Sequence, residues 1–223
     1  MYVTLQSKEN HNVATKMNTT KPAASYRRTL AKGAHLFREG DTANRIFEVE
    51  SGVLRLTRVM VNGRRQVIAF GYPGDVVGFP SDGLYHTDCE ALTAASLVVH
   101  KRDALESGVG DAQLHTRLLQ AALREISGMQ DHFLMLGRKS ASERVASFLL
   151  TLRERVGSPL GQYDQFTLPM GRSDIADFLG LTTETVCRAV TQLRKSKVIA
   201  LHNVHTVIVL KPAALKALAE TIK

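Results

Sequence analysis

The apolar residues between positions 171 and 197 recur every three or four residues, which is the spacing of two short helices that each bury one side. Gly180 would end the first helix, because glycine adopts the positive φ that a tight turn between helices needs. Thr182 would cap the second helix through its side-chain oxygen. The buried positions of the two helices would be Ile175, Ala176 and Leu179, followed by Val186, Val190 and Leu193. This pattern predicts a helix-turn-helix over residues 171–197.

The outward face of the second helix carries Glu184, Cys187 and Arg188, whose spacing makes all three project in the same direction. In a DNA-binding helix-turn-helix, positions in these first two turns contact base edges in the major groove. Arginine can donate two hydrogen bonds to guanine, and glutamate can accept one from cytosine. The alternative is that Glu184 and Arg188 form an ordinary surface ion pair on a helix pair with no such role. The coincidence of turn glycine, cap and two apolar stripes favours DNA contact.

The N-terminal half shows a different pattern, in which short apolar runs are separated by turn residues over positions 26–102. Punctuation at this spacing predicts a small antiparallel β domain, a jelly roll or a similar barrel. Within it, Asn62-Gly63 suits a type I′ hairpin turn between two strands. Leu54 and Leu56 would face one side of the first of these strands, because side chains alternate along a strand.

Residues 111–139 form the longest helical stretch, and its apolar positions alternate steps of three and four, as in a coiled-coil seam. A single helix lying on the β domain would need such a stripe too. Leu118 and Leu123 lie on nearby faces and would pack on the barrel, which leaves the seam for a partner chain. We therefore predict a parallel homodimer. The seam would consist of Leu119, Ala122, Ile126, Met129, Phe133 and Leu136.

The remaining C-terminal pattern supplies the other parts of a winged-helix domain. After a hinge at 137–140 come a helix from Ala141 to about Val156, a short strand at 166–168, the helix-turn-helix, a wing over 198–210 and a helix at 213–221. The predicted fold class is therefore α+β. Its parts would be a flexible, polar arm (1–25), a β-roll (26–110), a dimerisation helix (111–139) and a winged helix-turn-helix domain (140–223).

The charge and the cysteine content of the chain limit the kinds of partner and cofactor that it can have. Lys and Arg number 29 against 21 Asp and Glu, and the resulting net charge of +8 favours a polyanion such as nucleic acid or an anionic membrane surface. No apolar run approaches the ~20 residues that a membrane-spanning helix needs, so we expect a soluble, cytoplasmic protein with no membrane partner. Cys89 and Cys187 are too few for a disulfide framework or for the four thiolates of an iron–sulfur cluster.

Three segments resemble the CRP/FNR superfamily of bacterial transcription regulators over nearly the whole chain after the arm. They are FREGDTANRIFEVESGVLRLTR, PGDVVGF and RSDIADFLGLTTETVCR. The last segment is similar to the FixK and FNR branches, and the absence of an N-terminal cysteine cluster is typical of the FixK type. The resemblance implies a homodimeric activator that contacts RNA polymerase and controls genes for microaerobic respiration, denitrification or nitrogen fixation.

The same resemblance implies a palindromic double-stranded DNA site, TTGAT-N4-ATCAA, with Arg188 on the guanine and Glu184 on a neighbouring base edge. The DNA backbone would be contacted by Gly171, Arg172, Thr182 and Thr183. Cys187 departs from the serine that is usual in the branch, so a base contact there is weaker. Because Cys187 lies near a helix start and beside Arg188, the setting of reactive thiols, we hypothesise a redox switch; a small residue tolerated by chance is the alternative.

Other functions depend on different residues. Cyclic-nucleotide-binding members place an arginine before serine or threonine, which residues 74–96 lack, so we expect no cyclic nucleotide and no cofactor. A haem- or ligand-dependent regulator using His86 stays open, with a solvated histidine as the alternative, and so does a repressor. A cupin-like metal enzyme would need clustered ligands. The candidate histidines are scattered or lie in the wing: His35, His86, His100, His202 and His205.

Overall fold

A computed structural model describes residues 25–79, 82–107 and 111–220. All of the predicted arm except Ser25 lies outside these ranges, as does Thr221 at the end of the predicted last helix. Across the described ranges, no helix combines the length and apolar content that crossing a membrane requires.

The N-terminal half is the predicted β-roll, built of two four-stranded antiparallel sheets. Their strand orders are β1-β8-β3-β6 and β2-β7-β4-β5. Apolar side chains fill the space between the sheets, where the ring of Phe37 stacks on that of Tyr85 with 3.9 Å between centroids. The strands are β1 (Tyr26–Leu30), β2 (His35–Phe37), β3 (Arg45–Ser51), β4 (Leu54–Val59), β5 (Arg65–Gly71), β6 (Val76–Val77), β7 (Asp88–Ala91) and β8 (Ala95–Lys101).

The rest of the described chain is mostly helical, with a third four-stranded sheet. The helices are α1 (Asp103–Glu106), α2 (Ala112–Arg138), α3 (Ala141–Val156), α4 (Arg172–Leu179), α5 (Thr183–Lys195) and α6 (Pro212–Glu220). The strands are β9 (Ser158–Leu160), β10 (Tyr163–Thr167), β11 (Ile199–Leu201) and β12 (Thr206–Val209), in the order β11-β12-β10-β9. The α+β class and the winged helix-turn-helix arrangement are therefore confirmed.

The hairpin between β4 and β5 is present, but the prediction of a type I′ turn was wrong. That turn needs a positive φ at both central residues, and of the two only Gly63 has one, at 76°. The strands are instead joined by a longer loop in which Gly63 N donates to Met60 O and Met60 N donates to Arg64 O, both at 2.8 Å. The Asn62 side chain accepts from Arg64 N at 3.0 Å, which satisfies the loop without a left-handed asparagine.

Helix α2 touches the roll along only part of its length. Asp111 caps it by accepting from Leu114 N at 2.9 Å. Leu118 and Ala121 are buried against the roll, whereas Leu123 is 56% exposed. The expectation that Leu123 packs on the barrel was therefore wrong. At 3.6 residues per turn, Leu123 lies about 200° around the helix from Ala121 and so faces away from the roll.

The link between α2 and the C-terminal domain is shorter than the predicted hinge at residues 137–140. Helix α2 continues through Gly137, and only Lys139 and Ser140 separate it from α3. Ser140 begins α3 with a capping box, because its hydroxyl accepts from Glu143 N while the Glu143 carboxylate accepts from Ser140 N. Strand β9 was not predicted, and a turn with Gly161 at φ 59° joins it to β10.

The roll and the C-terminal domain share one apolar core. Phe70 of β5 lies with its ring centroid 6.0 Å from that of Phe148 and 5.3 Å from that of Phe178. Phe178 also stacks on His132 of α2, with 4.3 Å between centroids. Helix α4 is consequently packed against both the roll and the long helix.

Candidate DNA interface

The turn between α4 and α5 has the predicted chemistry. Gly180 adopts the left-handed conformation, with φ 62° and ψ 40°, and Leu181 N donates to Ala176 O at 2.9 Å. The Thr182 hydroxyl caps α5 by accepting from Thr185 N at 3.1 Å. Both predicted apolar stripes are buried in the domain core. The opposite side of α5 is consequently turned to solvent in a fixed orientation.

The three predicted base-contacting residues lie together on this exposed side. Glu184, Cys187 and Arg188 are all exposed. Arg188 Nη2 donates to Glu184 Oε1 at 2.5 Å, and their side chains are 77% and 79% exposed. An ion pair this exposed contributes only ~0–1 kcal/mol, so both groups can exchange this contact for another partner at small cost.

Three of the four residues predicted to contact the DNA backbone have hydrogen-bond partners within the chain, and the fourth, Thr183, is exposed. Gly171 N donates to the side chain of Asp174, and the Thr182 hydroxyl is occupied by the cap. Arg172 Nη2 donates to Val204 O in the wing at 3.3 Å, whereas its Nη1 is buried without a partner. Burial lowers the pKa of Arg172, and the nearby Cys187 offsets part of that shift. Arg172 therefore connects the start of α4 to the wing.

The wing loop between β11 and β12 is a compact turn at the edge of the same surface. The Asn203 side chain accepts from His205 N and from Thr206 N, each at 2.8 Å. Val204 at its tip is 73% exposed. The connection of this loop to α4 could not be predicted from the sequence, because nothing in the local pattern brings Val204 to Arg172.

Helix α2 presents an apolar strip that no other part of the described chain covers. Of the predicted seam, Leu119, Ile126, Met129 and Phe133 are between 45% and 71% exposed. Ala122 and Leu136 are half-buried. Leu136 lies beside the helix-turn-helix, because a Cβ added at Gly180 would come within 3.6 Å of its Cδ2. Leu123 and Leu134 extend the exposed strip, at 56% and 63%.

The other candidate residues occupy separate places. His86 is exposed and bonds Asp82 Oδ1 at 2.9 Å, whereas His100 is buried between Ser25 and Glu48. In the part of the chain that the structure describes, no three His, Cys, Asp or Glu side chains are placed to hold a metal ion. A cavity of about 150 Å³ lies between the roll and α2, lined partly by Glu48 and Arg117; known ligand pockets measure ~300–1,000 Å³.

Two family models match the chain. Residues 143–218 match the Crp-like helix-turn-helix domain, and residues 27–109 match the cyclic nucleotide-binding domain. The chain is 38% identical over 190 residues to the nitrogen fixation regulation protein FixK of Rhizobium meliloti, covering 85% of each chain. It is 40% identical over 191 residues to FixK of Azorhizobium caulinodans, covering 85% of this chain and 77% of that one.

The fold is similar to the solved structure of FixK2 from Bradyrhizobium japonicum. The TM-score is 0.80 at 33% sequence identity, with 90% of this chain and 100% of that chain covered. The similarity extends over both halves, so the roll, long helix and helix-turn-helix follow one another in the same order.

Proposed function

The chain belongs to the CRP/FNR family of transcription regulators, and we propose that it activates transcription by binding FixK-type palindromes, TTGAT-N4-ATCAA, as a homodimer. The observation that carries this proposal is the exposed face of α5, which presents Glu184, Cys187 and Arg188. Thr182 caps this helix, and its opposite face is buried in the domain core. The chain would act in the cytoplasm, as a regulator rather than an enzyme.

Base recognition would begin by opening the Glu184–Arg188 pair. The Arg188 guanidinium would donate to O6 and N7 of the guanine in TTGAT. Glu184 would then accept from a neighbouring base amino group, such as that of the cytosine paired to this guanine. Arg172 at the start of α4 and Thr183 at the start of α5 would meet phosphates, since helix N-termini favour anions.

Pairing through the strip on α2 would place two such faces side by side. The exposed apolar residues from Leu119 to Phe133 support this pairing, because a continuous exposed apolar patch usually marks a surface that binds another protein chain. A twofold dimer would present two α5 helices about one DNA turn, ~34 Å, apart. The palindromic site would match this symmetry.

RNA polymerase would be the second macromolecular partner. The end of β4 and the loop after it carry three exposed apolar residues, Val59, Met60 and Val61, outside the surfaces assigned to DNA and to the dimer. These residues are suited to contact another protein.

The relatives named for regulation of nitrogen fixation support a role at genes of nitrogen fixation, denitrification or microaerobic respiration.

The regulator would act without a cyclic nucleotide or a cofactor. Residues 74–96 lack the arginine before serine or threonine that cyclic-nucleotide-binding members use. Control would instead come through Cys187, which is exposed next to Arg188 on the face assigned to DNA. Cys89 is buried in the roll. Desolvation is the larger cause, and the negative charge of nearby Glu90 the smaller one, of a rise in its pKa to about 12. Oxidation of Cys187 would add bulk at the DNA surface.

The proposal is tested by titrating reduced, full-length protein onto a TTGAT-N4-ATCAA duplex and onto one with the guanines and their partners changed. We expect dimer-stoichiometric, selective binding without added ligand. Arg188→Ala should cost ~1–3 kcal/mol, or ~5- to 150-fold in Kd, and relax preference at the guanine. Lys216→Ala on α6 is the matched control, since it also removes an exposed cation. Equal affinity of wild type for both duplexes, or binding only with a small ligand, would contradict the proposal.

A further inference from the structure

Asp174, the third residue of α4, is a buried carboxylate held by donors from two parts of the fold. Its side chain is only 8% exposed. Its Oδ1 accepts from Arg55 Nη1 at 2.7 Å and from Arg65 Nη2 at 2.6 Å, and its Oδ2 accepts from Gly171 N at 3.2 Å. Arg55 and Arg65 belong to the β4–β5 hairpin of the roll. One carboxylate therefore joins the roll to the helix-turn-helix.

The surrounding groups extend this junction along two turns of α4. Arg55 Nη2 also donates to Glu90 Oε2 on β7, at 2.6 Å. Arg65 Nη2 also donates to Asp177 Oδ2 at 3.1 Å, and Gln66 Nε2 donates to Asp177 O. The hairpin thus binds both the side chains and the backbone of α4, so that sliding or rotation of the helix would break several contacts at once.

A helix cap alone does not explain this arrangement. Capping requires only the contact between Asp174 and Gly171 N, which a solvated carboxylate would provide equally well. Burying a charge is costly unless it is paired, and removal of one partner leaves the other charge uncompensated. Arg55 is itself mostly buried, at 14% side-chain exposure, and its Nε has no partner. A shift of the roll relative to α4 would therefore leave buried charges without their partners.

The far end of α4 is tied to the dimer helix. Arg144 donates to Leu179 O at the end of α4, at 3.0 Å. It also donates to Leu136 O at 2.7 Å and to Lys139 O at 3.0 Å, where α2 ends. Because α5 follows α4 after a turn of three residues, contacts at the two ends of α4 determine the direction of α5.

We infer that Asp174 is a positioning residue for DNA binding, which fixes the α4–α5 pair to the roll and thereby sets the spacing and tilt of the two α5 helices in the dimer. The inference rests on the proposed function, because it concerns how α5 is presented to a palindrome. Specific binding requires both helices to enter major grooves in register, whereas nonspecific binding requires mainly positive charge. Loss of the Asp174 contacts should therefore reduce selectivity and not only stability.

The test compares full-length Asp174→Asn with wild type on the palindrome and on the duplex with changed guanines, together with thermal unfolding. Asparagine retains an oxygen for Gly171 N but removes the charge that both arginines bind. Affinity for the palindrome should fall about tenfold, within the usual range of coupling between separate sites, while affinity for the changed duplex stays the same. Asp164→Asn is the matched control, because Asp164 pairs with Arg153 at 2.6 Å within the C-terminal domain. That variant should lose stability but keep its selectivity.

If Asp174→Asn does not fold, the positioning role is tested by a charge reversal at the more exposed pair of the network, Arg65 and Asp177. Arg65 and Asp177 are 36% and 32% exposed. Asp177→Arg places a second cation beside Arg65 and should lose selectivity, whereas Asp177→Asn keeps a polar contact to Arg65 and should retain most of it. Selectivity equal to wild type in Asp174→Asn, or in Asp177→Arg, would overturn the positioning role alone. A wild type that does not discriminate between the duplexes would instead overturn the proposed function together with this inference.

Discussion

Replacing Phe133 by alanine should weaken the proposed dimer strongly. Phe133 is 71% exposed in the single chain, the highest value among the apolar residues of α2. Complete burial of such a side chain is worth ~1.5–3 kcal/mol, and a twofold interface contains it twice. Since roughly a third of its surface is already covered, Phe133→Ala should remove about 2–4 kcal/mol, which raises the dimer dissociation constant roughly 30- to 700-fold.

Sedimentation velocity over a dilution series measures this change directly. Ile68→Ala is the matched control, because Ile68 is 41% exposed but lies on β5, outside the proposed interface. The control should sediment like wild type, whereas Phe133→Ala should become monomeric at concentrations where wild type is still dimeric. Its DNA complex should assemble only at higher protein concentration. Phe133→Ala that stays dimeric to the same dilution as wild type would refute pairing through this strip.

Two further predictions concern redox state and pH. Mild oxidation should reversibly abolish binding to the palindrome in wild type and in Cys89→Ser but not in Cys187→Ser; equal sensitivity of Cys187→Ser in a gel-shift assay would contradict the switch. Burial, followed by the charge of nearby Arg144, lowers the pKa of His132 from its ordinary 6.5. As pH falls, His132 therefore binds a proton in the unfolded chain before it does so in the folded chain. The contribution of neutral His132 to the stability of the fold is complete above pH 6.5 and is lost as pH falls toward the lowered pKa. Between about pH 7.5 and 5.5, the melting temperature of wild type should fall more than that of His132→Gln, and equal falls would exclude His132 as the cause.

The helix-turn-helix could be predicted because its determinants are local. Gly180 is a residue that takes the left-handed turn without strain, and Thr182 is placed to cap the next helix. The periodic stripe of α5 then decides which side faces solvent. Glu184, Cys187 and Arg188 were placed on the exposed face by spacing alone, without any knowledge of the rest of the fold.

Predictions failed where the local sequence pattern is compatible with two structures. Asn62-Gly63 is compatible with a two-residue turn, but the side-chain bond from Asn62 to Arg64 N stabilises a longer loop. Leu123 belongs to an apolar stripe wide enough for both a roll and a partner. Only the placement of α2 on the roll, through Leu118 and Ala121, shows which side Leu123 takes.

Carboxylates of the helix-turn-helix take part in two kinds of arginine interaction, one exposed and one buried, and burial gives the two kinds opposite roles. Glu184 and Arg188 are 79% and 77% exposed, so water already competes for both groups and DNA can replace their contact. Asp174 and Arg55 are 8% and 14% exposed, so separating them would leave two charges without solvent. Sequence identifies the first pair by its spacing on one helix, but Arg55 and Asp174 lie in different halves of the chain and meet only through the fold. The exchangeable pair is therefore suited to recognition, and the fixed pair to holding the recognition helix where it can act.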